Sequence, residues 1–144
     1  MTETSQPEWA SRLLQALQAV WPVERPLALV LAGDDHPIWS LHDGVADGAC
    51  NIRPDGVTIY LRERAEDTEY WRDVLIHEYT HAAMSGLLEA IQNEAPLGIK
   101  EYRQSAYVRH MENVTAYVAA LLDYAVRTKA RMRKLDKRAA RAVR

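Results

Sequence analysis

Residues 77–81 read His77-Glu78-Tyr79-Thr80-His81: two imidazoles four positions apart, with a carboxylate beside the first. On a helix, positions i and i+4 lie on one face about one turn apart, so both rings can reach a single cation. Two histidine nitrogens and one carboxylate are a ligand set of catalytic zinc, which keeps a further position open for water. Glu78 falls beside the ligands rather than among them, placed to take a proton from zinc-bound water. A chance match to this spacing is expected in roughly one chain in a hundred of such composition, so the motif outweighs two ordinary helix histidines. The apolar Val74-Leu75-Ile76 ahead of it would seat the helix in a core. The small Ala82, Ala83, Ser85 and Gly86 behind it would let neighbouring backbone approach.

A third protein ligand must come from downstream, where Glu89, Glu94, Glu101, His110 and Glu112 are the candidates. Glu89 and Glu94 sit on or just after the same helix and would require the chain to fold back at once. Glu101 and Glu112 share a face of a second helix but lie roughly 16 Å apart along it, so only one can be at the metal. The face through Glu101 carries Lys100, Gln104 and Ser105 and suits solvent. The face through Glu112 carries Val108, Thr115, Ala116, Ala119 and Leu122, an acid in an otherwise apolar or small-residue stripe. A carboxylate buried there needs a partner or a metal, which favours Glu112. His110 is about 200° around the helix from Glu112 and should face away. Asp73, one turn before His77, is a candidate to orient that ring, as are Asp43 and Asp47.

The elements that must position these groups follow from the breakers. Pro7 opens a first helix, with Trp9, Leu13, Leu17 and Val20 at helical spacing, and Pro22 and Pro26 end it. Leu27 to Leu31 is a short apolar run that reads as a buried strand. Ile38 to Leu41 is a possible second strand, and Ala49 to Arg53 a third. Pro54-Asp55-Gly56 is a turn, followed by the β-branched and aromatic run Val57 to Leu61. Asp67 or Thr68 can cap the motif helix, expected to reach Ala90 or Asn93. Pro96 and Gly98 break it, and a long helix then starts near Ile99. The order predicts an α+β fold, a short, mostly antiparallel sheet packed against the motif helix and the following glutamate-bearing helix.

The 144 residues suit one domain with an appended tail. The net charge of −2 divides unequally: residues 127–144 carry +8 and residues 1–126 carry −10. The expected organisation is therefore a domain over 1–126 and a basic, helical or disordered tail over 127–144. That tail has no aromatic residue and would contact nucleic acid through phosphates alone; a solvated helix end or docking onto the acidic body of a second copy are the other readings. The single cysteine, Cys50, excludes an internal disulfide and reads as a small core residue. No apolar run approaches a membrane span and the N-terminus lacks the layout of a secretion signal, so an intracellular chain without membrane contact is expected.

The run Leu75-Ile76-His77-Glu78-Tyr79-Thr80-His81-Ala82 resembles the active-site helix of zincin metallopeptidases. The stretch from Glu112 to Leu122 resembles the glutamate helix of small gluzincin-type proteins. Among these the chain is similar to compact predicted metallopeptidases of phages and prophages, and more loosely to the ImmA/IrrE type, over residues 57–122. The resemblance implies a zincin-like domain in the cytoplasm of a bacterial or phage-infected cell. It implies Zn²⁺ held by His77, His81 and Glu112, Glu78 as general base, and a protein or peptide substrate lying along the strand at 57–61. The thermolysin-type spacing lands instead on Glu101, but its flanking Asn and later Asp are replaced by Lys100 and Ser105. The ImmA/IrrE pattern has Ala-Asn after its glutamate, where Asn113 and Val114 stand. No transition-state residue transfers: Tyr107 and Tyr117 qualify by type, with core packing the simpler expectation for each. A regulatory or binding protein that keeps the zinc fold without turnover is the alternative.

Overall fold

The computed structural model describes residues 6–42, 46–85 and 106–142, with side chains for all of these except 42 and 106–110. Helix α1 (Glu8–Val20) follows Pro7 and is succeeded by strand β1 (Leu27–Ala32). A 3-10 segment (Pro37–His42) leads to β2 (Gly48–Arg53) and β3 (Gly56–Arg62). Helix α2 (Glu69–Ala83) carries the histidine motif, and α3 (Ala106–Ala142) runs to the end of the described chain. The architecture is α+β.

The three strands form one sheet in the order β1-β3-β2. β2 and β3 are an antiparallel hairpin around Pro54-Asp55, with Cys50 opposite Ile59. β1 joins β3 in parallel, Leu27 opposite Val57 and Leu31 opposite Leu61. The sheet is thus mixed, not mostly antiparallel. The physical reason is that the chain between β1 and β2 does not form a strand. Ile38 and Trp39 are consecutive and both buried, which strand alternation does not permit on one face. Instead the 3-10 segment folds over the sheet and packs them with Ala32, Ala49 and Tyr60. Its geometry is held by Trp39 Nε1, which donates to the Gly33 carbonyl at 2.8 Å, and by Ile38 N, which donates to His36 Nδ1 at 3.1 Å.

The other sheet face meets the helices. Leu29, Ile59 and Leu61 share a core with Ala10, Leu14 and Leu17 of α1, Leu75, Ile76 and Tyr79 of α2, and Ala119 and Leu122 of α3. The buried face of α1 is therefore Ala10, Leu14 and Leu17, with Trp9, Leu13 and Val20 at its margins. Thr68 caps α2, accepting from Trp71 N at 3.4 Å, and Glu69 occupies the first turn. α2 is the central element, packed against α1, α3, β2 and β3. It has buried residues on most of its circumference: Leu75, Ile76, Glu78, Tyr79 and Thr80 in six positions. The Tyr79 hydroxyl donates to the Trp21 carbonyl at 2.5 Å, tying α2 to the chain that leaves α1. α2 ends at Ala83, earlier than the breakers suggest.

Residues 127–142 continue α3, which is one helix of 37 residues, about 55 Å long. Arg127 joins it to α2 through Glu69 at 3.1 Å and pairs within α3 with Asp123 at 2.9 Å, and Lys129 Nζ donates to the Ala19 carbonyl at 3.3 Å. Beyond these contacts every side chain from Ala130 to Ala142 is exposed. Among the described residues no helix is long and apolar enough to cross a membrane.

Candidate metal centre

Helical spacing brings the motif imidazoles to one side of α2, with His77 Nε2 and His81 Nε2 3.2 Å apart and the rings edge to face at 81°. The α2–α3 packing supplies the third group. Glu112 Oε1 lies 3.4 Å from His81 Nε2, and Oε2 lies 3.6 Å from His77 Nε2. The three side chains each offer one ligand atom within 4.8 Å of the others. Ligand atoms placed about 2.0–2.1 Å from a tetrahedral centre stand about 3.3 Å from one another, so this spacing and this N,N,O donor set fit zinc. Two imidazole Nε2 atoms turned toward each other and toward a carboxylate need a proton or a cation between them.

The electrostatics agree with that arrangement. Hydrogen bonding to His77 and then His81 holds the Glu112 carboxyl far below the usual carboxylate range, against the opposing effect of its burial. Hydrogen bonding to Glu112 raises His77, with Glu78 adding to it and burial opposing. Glu112 is more exposed than the apolar stripe around it implies, its side chain 54% accessible. Thr115, Ala119 and Leu122 are the buried positions of that face, so the carboxylate sits at the rim of the core rather than within it.

Glu78 is set apart from the three. It is 9% exposed and burial raises its carboxyl, while His81 and His77 pull the other way. Its seat is made by Gly48 at the start of β2. A Cβ on Gly48 would stand 2.8 Å from Glu78 Cγ and 2.7 Å from Val74 Cγ1, so only a glycine admits this approach of strand to helix. The Cys50 thiol is pushed up to about 12 by burial and by the Glu78 charge.

An open cleft of about 580 Å³ runs between the start of β2 and α2 and reaches His77 and Glu78, with Asp47, Gly48, Tyr70 and Asp73 on its walls. A second hollow of about 360 Å³ lies between α2 and α3, bounded by Glu69, Asp73, His77, Ala116 and Asp123. His77 and Asp73 border both.

Several sequence-based expectations are placed differently. β3 is paired on both sides, so its backbone is not offered to a ligand; β2 is the strand beside the cleft with an unpaired edge in the described sheet. Asp73 lies one turn before His77 but makes no hydrogen bond to it among the described residues. Its carboxyl is raised by burial and by the charges of Asp123 and Glu69. Asp47 accepts from Arg64 Nη2 at 3.0 Å and from the Tyr70 hydroxyl, which fixes the cleft rim rather than a ligand ring. Tyr117 is neither in the core nor at the site; it is 68% exposed on the outer face of α3. Asp43, Glu89, Glu94 and Glu101 and the side chains of Tyr107 and His110 lie outside the described residues. Tyr70 and Gly48 were not singled out from the sequence. Tyr70 is seven positions before His77, two turns along the same face, and that spacing is the signal that finds it.

Compared with protein-family models, with curated proteins and with solved structures, the chain matches none.

Proposed function

We propose that the chain is a zincin-like metallopeptidase that hydrolyses peptide bonds of a protein or peptide substrate, with zinc held by His77, His81 and Glu112. The observation that carries this reading is the convergence of the three donor atoms at 3.2–3.6 Å beside a buried fourth group, Glu78. Zinc in such a site acts as a Lewis acid and makes water a usable nucleophile near neutral pH. The residues of this chain do the rest. His77 and His81 hold the centre on a helix packed on most of its circumference, so their spacing costs no reorganisation. Glu78, buried against Gly48 beside the ligand set, takes the proton of the attacking water and returns it to the leaving amine. An extended substrate would lie in the open cleft along β2.

Glu78→Gln separates catalysis from assembly. Zinc-loaded wild type incubated with a mixed peptide library should generate new N-termini, read by mass spectrometry. The variant should keep one zinc per chain and lose at least about 100-fold in cleavage. Cleavage undiminished in Glu78→Gln would remove Glu78 as the base, and zinc-loaded wild type that cuts nothing would favour a non-catalytic zinc-fold protein.

A further inference from the structure

The outer face of α3 carries an uncharged stripe that nothing in the described chain covers. Tyr117, Leu121, Tyr124, Thr128, Met132, Leu135 and Ala139 recur at intervals of 4, 3, 4, 4, 3 and 4 residues, within about 40° of one line on the helix. All seven are exposed, the five large ones between 52% and 70%. The stripe lies opposite the core-facing Thr115, Ala119 and Leu122, and from Tyr117 to Ala139 it is about 33 Å long. It begins on the body and continues without a break onto the projecting arm.

We infer that this stripe is the interface of a homodimer, in which two copies of α3 pack antiparallel about a two-fold axis at Thr128. The intervals read the same in both directions from that residue. An antiparallel pair therefore sets Leu121 against Leu135, Tyr124 against Met132 and Tyr117 against Ala139, so that each tyrosine meets a smaller side chain. Such self-complementarity is what an isologous two-fold contact requires. Thr128, small and uncharged, sits where the two helices approach most closely.

Charge selects the occupant and the direction. Residues 127–144 carry +8 and residues 1–126 carry −10. Antiparallel packing lays each basic arm along the acidic body of the other copy, whereas parallel packing brings two arms of the same sign together. An anionic lipid surface would attract the arm but repel the acidic body, on which Tyr117 and Leu121 lie, so it would cover only half of the stripe. The dimer does not depend on the metal centre, and its test is independent of zinc.

Sedimentation velocity of the full chain at 1–50 µM, with and without zinc, should give a species of twice 16.4 kDa. Leu121→Glu and Leu135→Glu should each raise its dissociation constant by about 30-fold or more, as loss of a central interface anchor does. Both positions are exposed, so helical content by circular dichroism should be unchanged. Cysteine crosslinking in a Cys50→Ala background reads the direction. Thr128→Cys should crosslink to itself. Leu121→Cys should crosslink only when mixed with Leu135→Cys. A monomer at every concentration, a dimer indifferent to Leu121→Glu, or self-crosslinking of Leu121→Cys would overturn the inference. So would a monomeric chain that pellets with phosphatidylglycerol vesicles through the same residues.

Discussion

Gly48 and Glu78 touch: the strand backbone at β2 lies so close to the buried carboxylate side chain that any Cβ at position 48 would stand 2.8 Å from Glu78 Cγ. Gly48→Ala should therefore move Glu78 while leaving His77, His81 and Glu112 in place. The expected outcome is full zinc stoichiometry by elemental analysis, a loss of about 1–3 kcal/mol in stability from overpacking, and a fall in peptide cleavage on the order of 100-fold from misplacement of the base. Wild-type cleavage by Gly48→Ala would show that the contact does not position Glu78.

Glu112 links α3 to both histidines of α2, and zinc binding should stabilise the fold through that link. At a free zinc concentration 100 times the dissociation constant, the gain is about 2.7 kcal/mol, or about 5–10 °C in Tm for a chain of this size. Glu112→Ala and His81→Ala should each abolish most of the shift between zinc and a chelator. Glu101→Ala should keep it. Equal shifts for Glu112→Ala and wild type in a thermal melt would remove Glu112 from the ligand set.

Arg62 is 5% exposed and ties the chain ahead of β2 to the sheet. Its Nε donates to the Ala46 carbonyl at 3.0 Å, its Nη1 pairs with Asp34 at 3.1 Å, and its guanidinium lies 4.0 Å from the Trp39 ring centroid. Arg62→Met should cost about 2–3 kcal/mol by denaturant unfolding. Arg62→Lys should recover little of it, because an ammonium offers neither the planar stack nor the forked donors. Recovery of wild-type stability by Arg62→Lys would count against this account.

Burial raises the Cys50 thiol to about 12 from an ordinary value of 9.0, and the Tyr79 hydroxyl to about 12 from 10.0. Both groups hold their protons more tightly folded than unfolded. Their stabilisation is therefore complete below pH 9 and is lost as pH rises toward 12. Melting temperature should fall between pH 9 and 11, and less steeply in Cys50→Ala. At pH 8 a disulfide reagent should label native Cys50 slowly and the urea-unfolded chain at once. Equal labelling rates would show the thiol to be free of that environment.

The amino-acid sequence by itself determined what is local. Helical periodicity put His77 and His81 on one face, Asp67 or Thr68 marked the start of α2, and Pro54-Asp55 set the β2–β3 hairpin. These depend on spacings of a few residues and on backbone propensities that hold in any tertiary context. The tertiary structure decided what depends on packing between distant segments. Ile38 and Trp39 look like strand residues, yet they cover a sheet face as a 3-10 turn because both must be buried at once. β3 looked like the strand to border a cleft, yet parallel pairing with β1 places it in the middle and leaves β2 beside α2. The meeting of Glu112 with the two imidazoles, and of Gly48 with Glu78, is set by how α3 and β2 dock on α2. No local pattern encodes those distances, since they arise only when the core shared by all three helices closes.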